Sequence, residues 1–351
     1  MSPTRGYHNY RGRTSKGKIV LAVLLVLIIL AALSVIAMQR YIVYDENGRP
    51  HLELPQQEPD KPEETPDDLD ITIEETKKDP EIRAVQLTET PLTDSAWQER
   101  KMSILASSTL AVSRANTVAL TVKDASGHVY YDSAAAAAVS ASIVQTETST
   151  AAAIAEVNET YPYTIARLAC FLDPIAAKAD VEGMGLKNTG GYIFYDGNNS
   201  NWLDPGKPAA RQYLCSMAKE LAELGFDEIL LTDVSYPTAG KLDKINYGET
   251  MKNQNLAAFL EEMEAALADS DVRLSLELPE TVIAEGSDNI AGLMLADVAP
   301  KVERIYAVAT EEQSEALAAE VAAAGENTGF VPEFSADTGS GTAGSYLWLP
   351  E

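Results

Sequence analysis

The sequence predicts a (β/α)8 barrel that occupies residues 81–351. From about residue 81, short apolar segments alternate with helical stretches, which is the pattern of parallel strands joined by crossover helices. The apolar segments lack strict alternation of apolar and polar residues, as expected for strands that are covered on both faces. Eight such segments in roughly 270 residues match the size of this barrel. They are IRAVQLT (82–88), NTVALTVKD (116–124), YTIARLACFL (163–172), DEILLTDV (227–234), VRLSLEL (272–278), RIYAVAT (304–310), GFVPEFS (329–335) and SYLWLP (345–350).

The segments between the strands support crossover helices. Residues 208–224 and 250–268 carry apolar side chains at helical spacing, which predicts two amphipathic helices. The alanine-rich segment 134–159 predicts an enlarged helical crossover after the second strand. The main alternative is an open doubly wound sheet. No glycine-rich phosphate loop follows the first strand, and this disfavours the open sheet.

A long apolar segment near the N-terminus predicts a membrane anchor. Residues 19–38 are apolar except for Ser34, and at 1.5 Å per residue they span roughly 30 Å, one hydrocarbon core. The basic tail 1–18 should stay in the cytoplasm by the positive-inside rule. A cleaved signal peptide is the competing interpretation, but its apolar region would be shorter and would end in small residues. We therefore expect a single-pass protein of the cell membrane, with the lipid bilayer as partner of 19–38 and an extracytoplasmic C-terminal domain.

The charge distribution predicts a disordered acidic linker over residues 39–80. Residues 53–79 hold eleven acids, three lysines and four prolines, and such a segment buries too little apolar surface to offset its ordering entropy. The formal charge is −26, and the first 40 residues carry six basic groups and no acid, so the remainder carries −26 − 6 = −32. That surface should repel nucleic acid, and we expect no nucleic-acid partner.

The cysteines and histidines indicate no cofactor. Cys170 and Cys215 are expected to be buried free thiols, with one disulfide as the alternative. His8, His51 and His128 are scattered and show neither metal-ligand spacing nor a Ser-His-Asp order. We therefore expect no metal and no other cofactor.

Four segments together resemble a known family. They carry a Val-Lys-Asp strand and turn, an Ile-Ala-Arg strand, a Trp-to-Pro-Thr run and a helix–strand junction. The segments are TVKDASGHVYYDS (121–133), YTIARLACFLDPIAAK (163–178), WLDPGKPAARQYLCSMAKELAELGFDEILLTDVSYPT (202–238) and ADVAPKVERIY (296–306). In order and spacing they resemble the "putative glycosyl hydrolase domain" family of bacterial (β/α)8 barrels, over most of residues 82–310. The resemblance implies a polysaccharide ligand, such as a glycan of the cell envelope.

The sequence departs from the family pattern at two acids. The family ends its fourth strand with Phe-Asp-Tyr-(Ile/Val)-Arg-Phe-Pro, and its Asp falls on Thr232 here. An acid of the second strand is likewise replaced by Thr121, whereas Arg167 and Lys123 are retained. Two function classes therefore stay open. One is a glycoside hydrolase, and the other is a non-catalytic carbohydrate-binding barrel descended from such an enzyme.

Glycoside hydrolysis normally needs two carboxyl groups that flank the scissile bond, and in this barrel they should lie at the C-terminal ends of strands. Asp233 and Glu277 end the fourth and fifth predicted strands, which are about 4.8 Å apart as neighbours, so they are the catalytic candidates. Side chains alternate along a strand, so Asp233 should lie on the rim if Thr232 faces the barrel mouth, unless a bulge turns it inward. Glu333, at the end of the seventh strand, is the alternative second acid.

Five further side chains are candidates for substrate binding, and each has a structural alternative. Arg167 lies in an apolar strand and should meet a carboxylate, either to bind a ligand or to stabilise the fold. Aromatic side chains near strand ends could stack on sugar rings or simply pack in the core. Lys123 could form a Schiff base, but a salt bridge is the default. The candidates are Arg167, Asp124, Lys123, Trp202 and Tyr236.

Overall fold

The structure confirms the predicted barrel. It is a computed structural model that describes residues 42–44, 50–52, 81–87, 115–334 and 344–349. Eight parallel strands pair in chain order, and the eighth pairs with the first to close the sheet. They are β1 Arg83–Leu87, β2 Thr117–Lys123, β3 Tyr163–Ala169, β4 Glu228–Thr232, β5 Arg273–Glu277, β6 Arg304–Val308, β7 Gly329–Phe334 and β8 Tyr346–Trp348.

Helices of very different length connect these strands. The two long predicted amphipathic helices are present as α4 and α5, and each buries its apolar face against the sheet. In the described residues the α-helices are α1 Ala134–Val139, α2 Ala151–Thr160, α3 Pro174–Ala179, α4 Pro208–Glu223, α5 Lys252–Leu267, α6 Glu280–Glu285, α7 Leu295–Val298 and α8 Glu311–Ala324. Short 3₁₀ turns span Leu242–Lys244 and Ala299–Lys301.

The crossover after β2 is only partly helical, which corrects the prediction of a helical segment over 134–159. The chain leaves β2 through a turn into the strand Val129–Tyr131, which runs antiparallel to β2. A further strand, Val144–Ser149, separates α1 from α2 and pairs with Val129–Tyr131. The sequence of this strand, VQTETS, is rich in β-branched residues, which favour extended structure over helix.

The barrel interior is apolar in its middle and polar at both ends. Its apolar side chains are Ile82, Ala84, Ala119, Ile165, Leu230, Tyr306, Val331 and Leu347. Toward the N-terminal ends of the strands, the buried carboxylate of Glu228 forms an ion pair with Arg304. Glu228 also accepts hydrogen bonds from Ser275 at 2.6 Å and from Tyr306 and Tyr163 at 2.8 Å each. The sequence analysis did not anticipate this network.

The segments before the barrel are described only in part. Ile42–Tyr44 and Pro50–Leu52 form a short antiparallel pair, so the predicted disordered linker contains a strand pair near its start. The predicted membrane span 19–38 and the acidic segment 53–79 lie outside the described residues. Among the residues that are described, no helix is both long and apolar enough to cross a bilayer. Cys170 and Cys215 are buried free thiols, as expected.

Candidate active site

A cavity of about 940 Å³ opens at the C-terminal ends of β4 to β7. Glu277, Val308 and Phe334 are the last residues of β5, β6 and β7, and all three line it, together with Asp233 directly after β4. None of the described lining residues is Lys, Arg or His. Five of them are acids: Asp233, Glu277, Glu280, Asp288 and Glu311. This is the end of the barrel where catalytic groups are expected.

The backbone at the end of β4 places Asp233 in the cavity. β4 ends at Thr232, and Asp233 has φ of +54°, in the left-handed region that a non-glycine residue adopts only when its surroundings impose it. The carbonyl groups of Thr232 and Asp233 accept backbone hydrogen bonds from Cys170 at 2.9 Å and Phe171 at 3.1 Å. The regular alternation therefore stops at Thr232, and Asp233 lines the cavity, although a regular strand would have turned it toward the rim.

The environment of Asp233 favours its protonated form. The side chain is partly buried, and burial raises the pKa of its carboxyl group. Three weaker influences oppose this shift, namely a hydrogen bond from Thr232 Oγ1 to Oδ2 at 3.1 Å and the positive charges of Lys123 and Arg167. Because burial dominates, Asp233 holds a proton at a higher pH than an exposed aspartate.

Arg167 joins three strands beneath the cavity. Its guanidinium group donates hydrogen bonds to Glu277 on β5 and to Gln86 on β1, and its Nη2 lies 3.8 Å from Glu333 on β7. Gln86 in turn donates to Thr121 Oγ1 at 3.3 Å. Arg167 therefore meets a carboxylate, as its place in an apolar strand predicted, and it holds Glu277 at the cavity.

Glu333 lies inside the barrel and not on its rim. Its side chain is 0% exposed, and in the described part of the chain neither carboxyl oxygen has a hydrogen-bond donor. Burial raises the pKa of Glu333 to about 8; the negative charge of Glu277 adds to the shift, and Arg167 opposes it.

Comparisons with known proteins identify the family of this chain. The family model described as "Putative glycosyl hydrolase domain" matches residues 87–309. The chain belongs to this glycosyl hydrolase family. The match covers β2 to β6 and thus both Asp233 and Glu277, whereas Glu333 lies beyond it. No curated protein matches the chain.

Solved structures with the same architecture include the glycoside hydrolase domain of PgaB (BpsB) from Bordetella bronchiseptica. It is 15% identical, with a TM-score of 0.50, over 77% of this chain and 94% of that structure. A hypothetical protein from Ruminiclostridium thermocellum is 25% identical over 52% of this chain and 91% of its own, with a TM-score of 0.43. Ega3 from Aspergillus fumigatus, solved in complex with galactosamine, is 10% identical over 74% of this chain and 80% of its own, with a TM-score of 0.41. The first of these similarities supports the barrel fold of the glycosyl hydrolase domain.

In this glycosyl hydrolase domain Lys123 forms a buried salt bridge, which was the default interpretation. The register between β2 and β3 shifts after Thr121, so that Lys123 pairs with Leu168. Its Nζ donates to the carbonyl of Ala169 at 2.7 Å and lies 3.0 Å from Asp173 Oδ2, with both charged side chains fully buried. The other oxygen of Asp173 accepts from the backbone of α3, so this acid also caps that helix.

The structure does not bring three other binding candidates into the cavity lining. Asp124 accepts hydrogen bonds within its own turn, including one from the Tyr130 hydroxyl at 2.8 Å. Trp202 is buried and donates from Nε1 to Asp196 at 2.9 Å. Tyr236 is fully buried, and its hydroxyl accepts from Asn255 at 2.8 Å. In the structure each of these side chains is hydrogen-bonded to a neighbouring residue, and their part in substrate binding stays a prediction.

The sequence analysis missed Gln86 beneath the cavity and three acids of the cavity lining. Gln86 is a polar residue within an apolar strand and lies on the same face of β1 as Ala84, which points into the barrel. A polar residue on that face was the signal that could have revealed it. The others are acids in the segments that follow β5 and β6, and their position after barrel strands was the available signal. They are Glu280, Asp288 and Glu311.

Proposed function

We propose that this barrel hydrolyses glycosidic bonds of a polysaccharide, with Asp233 and Glu277 as the reacting carboxyl groups. The observation that carries the proposal is that these two groups, from neighbouring strands, line one cavity at the C-terminal end of the barrel. Membership of the glycosyl hydrolase family supports the reaction class.

The two carboxyl groups differ in environment in the way that this reaction needs. Asp233, with its pKa raised by burial, suits a general acid that protonates the glycosidic oxygen. Glu277, paired with Arg167, suits a carboxylate that stabilises the positive charge developing on the sugar ring. As Asp233 gives its proton to the leaving oxygen, the bond from that oxygen to the anomeric carbon breaks. Water then completes the reaction and leaves one new reducing end.

The alternative is a barrel that binds carbohydrate without cleaving it, and the two threonines in place of family acids motivate it. Neither threonine can act as an acid or nucleophile in this chemistry. Each takes part in a hydrogen bond at the site, Thr121 with Gln86 and Thr232 with Asp233. Because Asp233 occupies the position next to Thr232 and lines the cavity, the hydrolase explains the geometry better.

The lining of the cavity limits the chemistry of the glycan. Five carboxyl-bearing residues, with no Lys, Arg or His among the described lining residues, should repel an anionic polymer. Neutral and amino-sugar glycans are therefore the better substrates to test, with uronic-acid polymers as a comparison.

Asp233→Asn should lower the rate of hydrolysis about 10²–10⁴-fold, because the amide cannot protonate the leaving oxygen. The measurement is the release of new reducing ends from neutral, amino-sugar and acidic glycans by the full chain in detergent. Asp243→Asn is the matched control, since that acid is exposed and paired only with its neighbour Lys244 in the described structure. Glycan binding without any turnover in the parent protein would instead support the carbohydrate-binding barrel.

We also propose that residues 19–38 anchor the protein in the cell membrane, with the barrel outside and an envelope glycan within reach. The apolar length and the preceding basic residues motivate this proposal. Fractionation should recover the full-length chain with membranes, and protease added outside the cell should reach residues 41–351. Recovery of a soluble product that begins near residue 39 would contradict the anchor.

A further inference from the structure

Glu333 is a buried titratable group that the proposed reaction does not use. It lies on the interior face of β7 with Val331, at the level of Val308 on β6 and Leu347 on β8. Neither of these neighbours can bond a carboxyl group. The charged groups that face it come from more distant strands. They are Glu277 on β5 and Arg167 on β3, and Nη2 of Arg167 lies 3.8 Å from Oε1 of Glu333. Glu333 therefore lies near the same Arg167 nitrogen as Glu277, without a hydrogen-bond donor among the described residues.

Its surroundings favour the neutral form at neutral pH. A carboxylate without hydrogen-bond donors is costly to bury, so the group keeps its proton, and its pKa is raised to about 8. The hydroxyl of a buried carboxylic acid needs an acceptor. Arg167 carries only hydrogen-bond donors and cannot be this acceptor. Glu277 pairs with Arg167 and also interacts with Glu333, and its carboxylate oxygens can accept the hydrogen bond.

We infer that Glu333 is a positioning residue, a neutral carboxylic acid that donates a hydrogen bond to Glu277 from the barrel interior. Glu277 is then held by two donors, the guanidinium of Arg167 and the hydroxyl of Glu333, and its orientation at the cavity is fixed. The catalytic consequence rests on the proposed function, but the protonation state and the contact do not.

Ionisation of Glu333 should disrupt this arrangement. Above pH 8 the donor is lost, and two adjacent carboxylates repel each other across the site. The fall in rate on the alkaline side of the pH–rate profile should therefore follow the ionisation of Glu333. Glu333→Gln keeps a donor for Glu277 and a carbonyl for Arg167 but does not titrate, so it should retain activity at pH 7 and extend the active range to higher pH.

Glu333→Leu is the second variant, because it fills a similar volume and offers no donor. We expect kcat to fall about 10–100-fold with KM nearly unchanged, since Glu277 is misplaced but the cavity walls remain. A Gln variant as inactive as the Leu variant would overturn the role of the donor. So would a Gln variant whose alkaline limb coincides with that of the parent.

Two readouts do not depend on activity and therefore separate this inference from the proposed function. Infrared spectra at pH 7 should show the carbonyl stretch of a protonated carboxyl group that Glu333→Gln removes. The second readout is stability. The pKa of Glu333 is near 4.3 in the unfolded chain and about 8 in the folded protein, so between these values only the folded state keeps the proton. Stability should therefore fall as pH rises through that window.

Glu333→Gln should abolish this part of the pH dependence, so that the melting temperatures of the two proteins should diverge between pH 5 and 8, with the variant higher at pH 8. Parallel melting temperatures over this range, or no loss of the infrared band, would refute the neutral acid even if the enzyme is active. Both results as expected in a protein without hydrolase activity would retain the neutral acid and refute only the proposed function.

Discussion

Glu277→Gln should lower the rate of glycan hydrolysis about 10²–10⁴-fold, as much as Asp233→Asn. Glutamine keeps the shape of the side chain and a carbonyl oxygen for Arg167, but it cannot carry the negative charge that stabilises a cationic transition state. That charge acts mainly in the transition state. We therefore expect kcat to fall and KM to change little.

The control for this experiment is a carboxylate that also pairs with a cation but lies away from the cavity. Glu182 is exposed and accepts from Lys187 at 2.8 Å, so Glu182→Gln should leave the rate unchanged. Glu277→Gln also leaves Arg167 without its carboxylate, and a melting temperature measured in parallel separates loss of fold from loss of chemistry. Full activity in a folded Glu277→Gln protein would exclude Glu277 as a reacting group.

The strands and long helices were predictable from the sequence because their apolar spacing is a local property. All eight strands fall in the predicted segments, since a strand covered on both faces needs a short run of apolar residues between turns. That Arg167 meets a carboxylate also followed from local reasoning, because a guanidinium buried in an apolar strand requires one.

The orientation of site residues was not predictable, because backbone irregularities set it. Asp233 enters the cavity through a left-handed conformation that hydrogen bonds with the adjacent strand impose, and no glycine marks it. The register shift after Thr121 turns Lys123 toward Asp173, 50 residues further along the chain. The sequence allows a bulge at the end of the fourth strand to turn Asp233 inward. In the structure the positive φ of Asp233 itself has a similar effect. Such features depend on which strands are neighbours, and the sequence alone does not show which strands will be in contact.

Arg304→Met should reduce the free energy of unfolding by about 3–5 kcal/mol, the second large effect we expect. Arg304 and Glu228 are almost fully buried in the N-terminal part of the barrel interior, 76 residues apart in sequence. Removal of the guanidinium leaves Glu228 as a buried charge held only by hydroxyl groups. Urea unfolding measures the loss, and Lys301→Met, which breaks the surface pair with Glu261, should cost less than about 1 kcal/mol.

A second substitution tests whether the buried charge is the cause. In the Arg304→Met background, Glu228→Gln replaces the carboxylate with a neutral amide whose carbonyl can still accept from the hydroxyls of Tyr163 and Tyr306. Because the uncompensated charge is then absent, the double variant should be more stable than Arg304→Met alone. If the two substitutions simply add, the loss comes from packing of the arginine side chain and not from the ion pair.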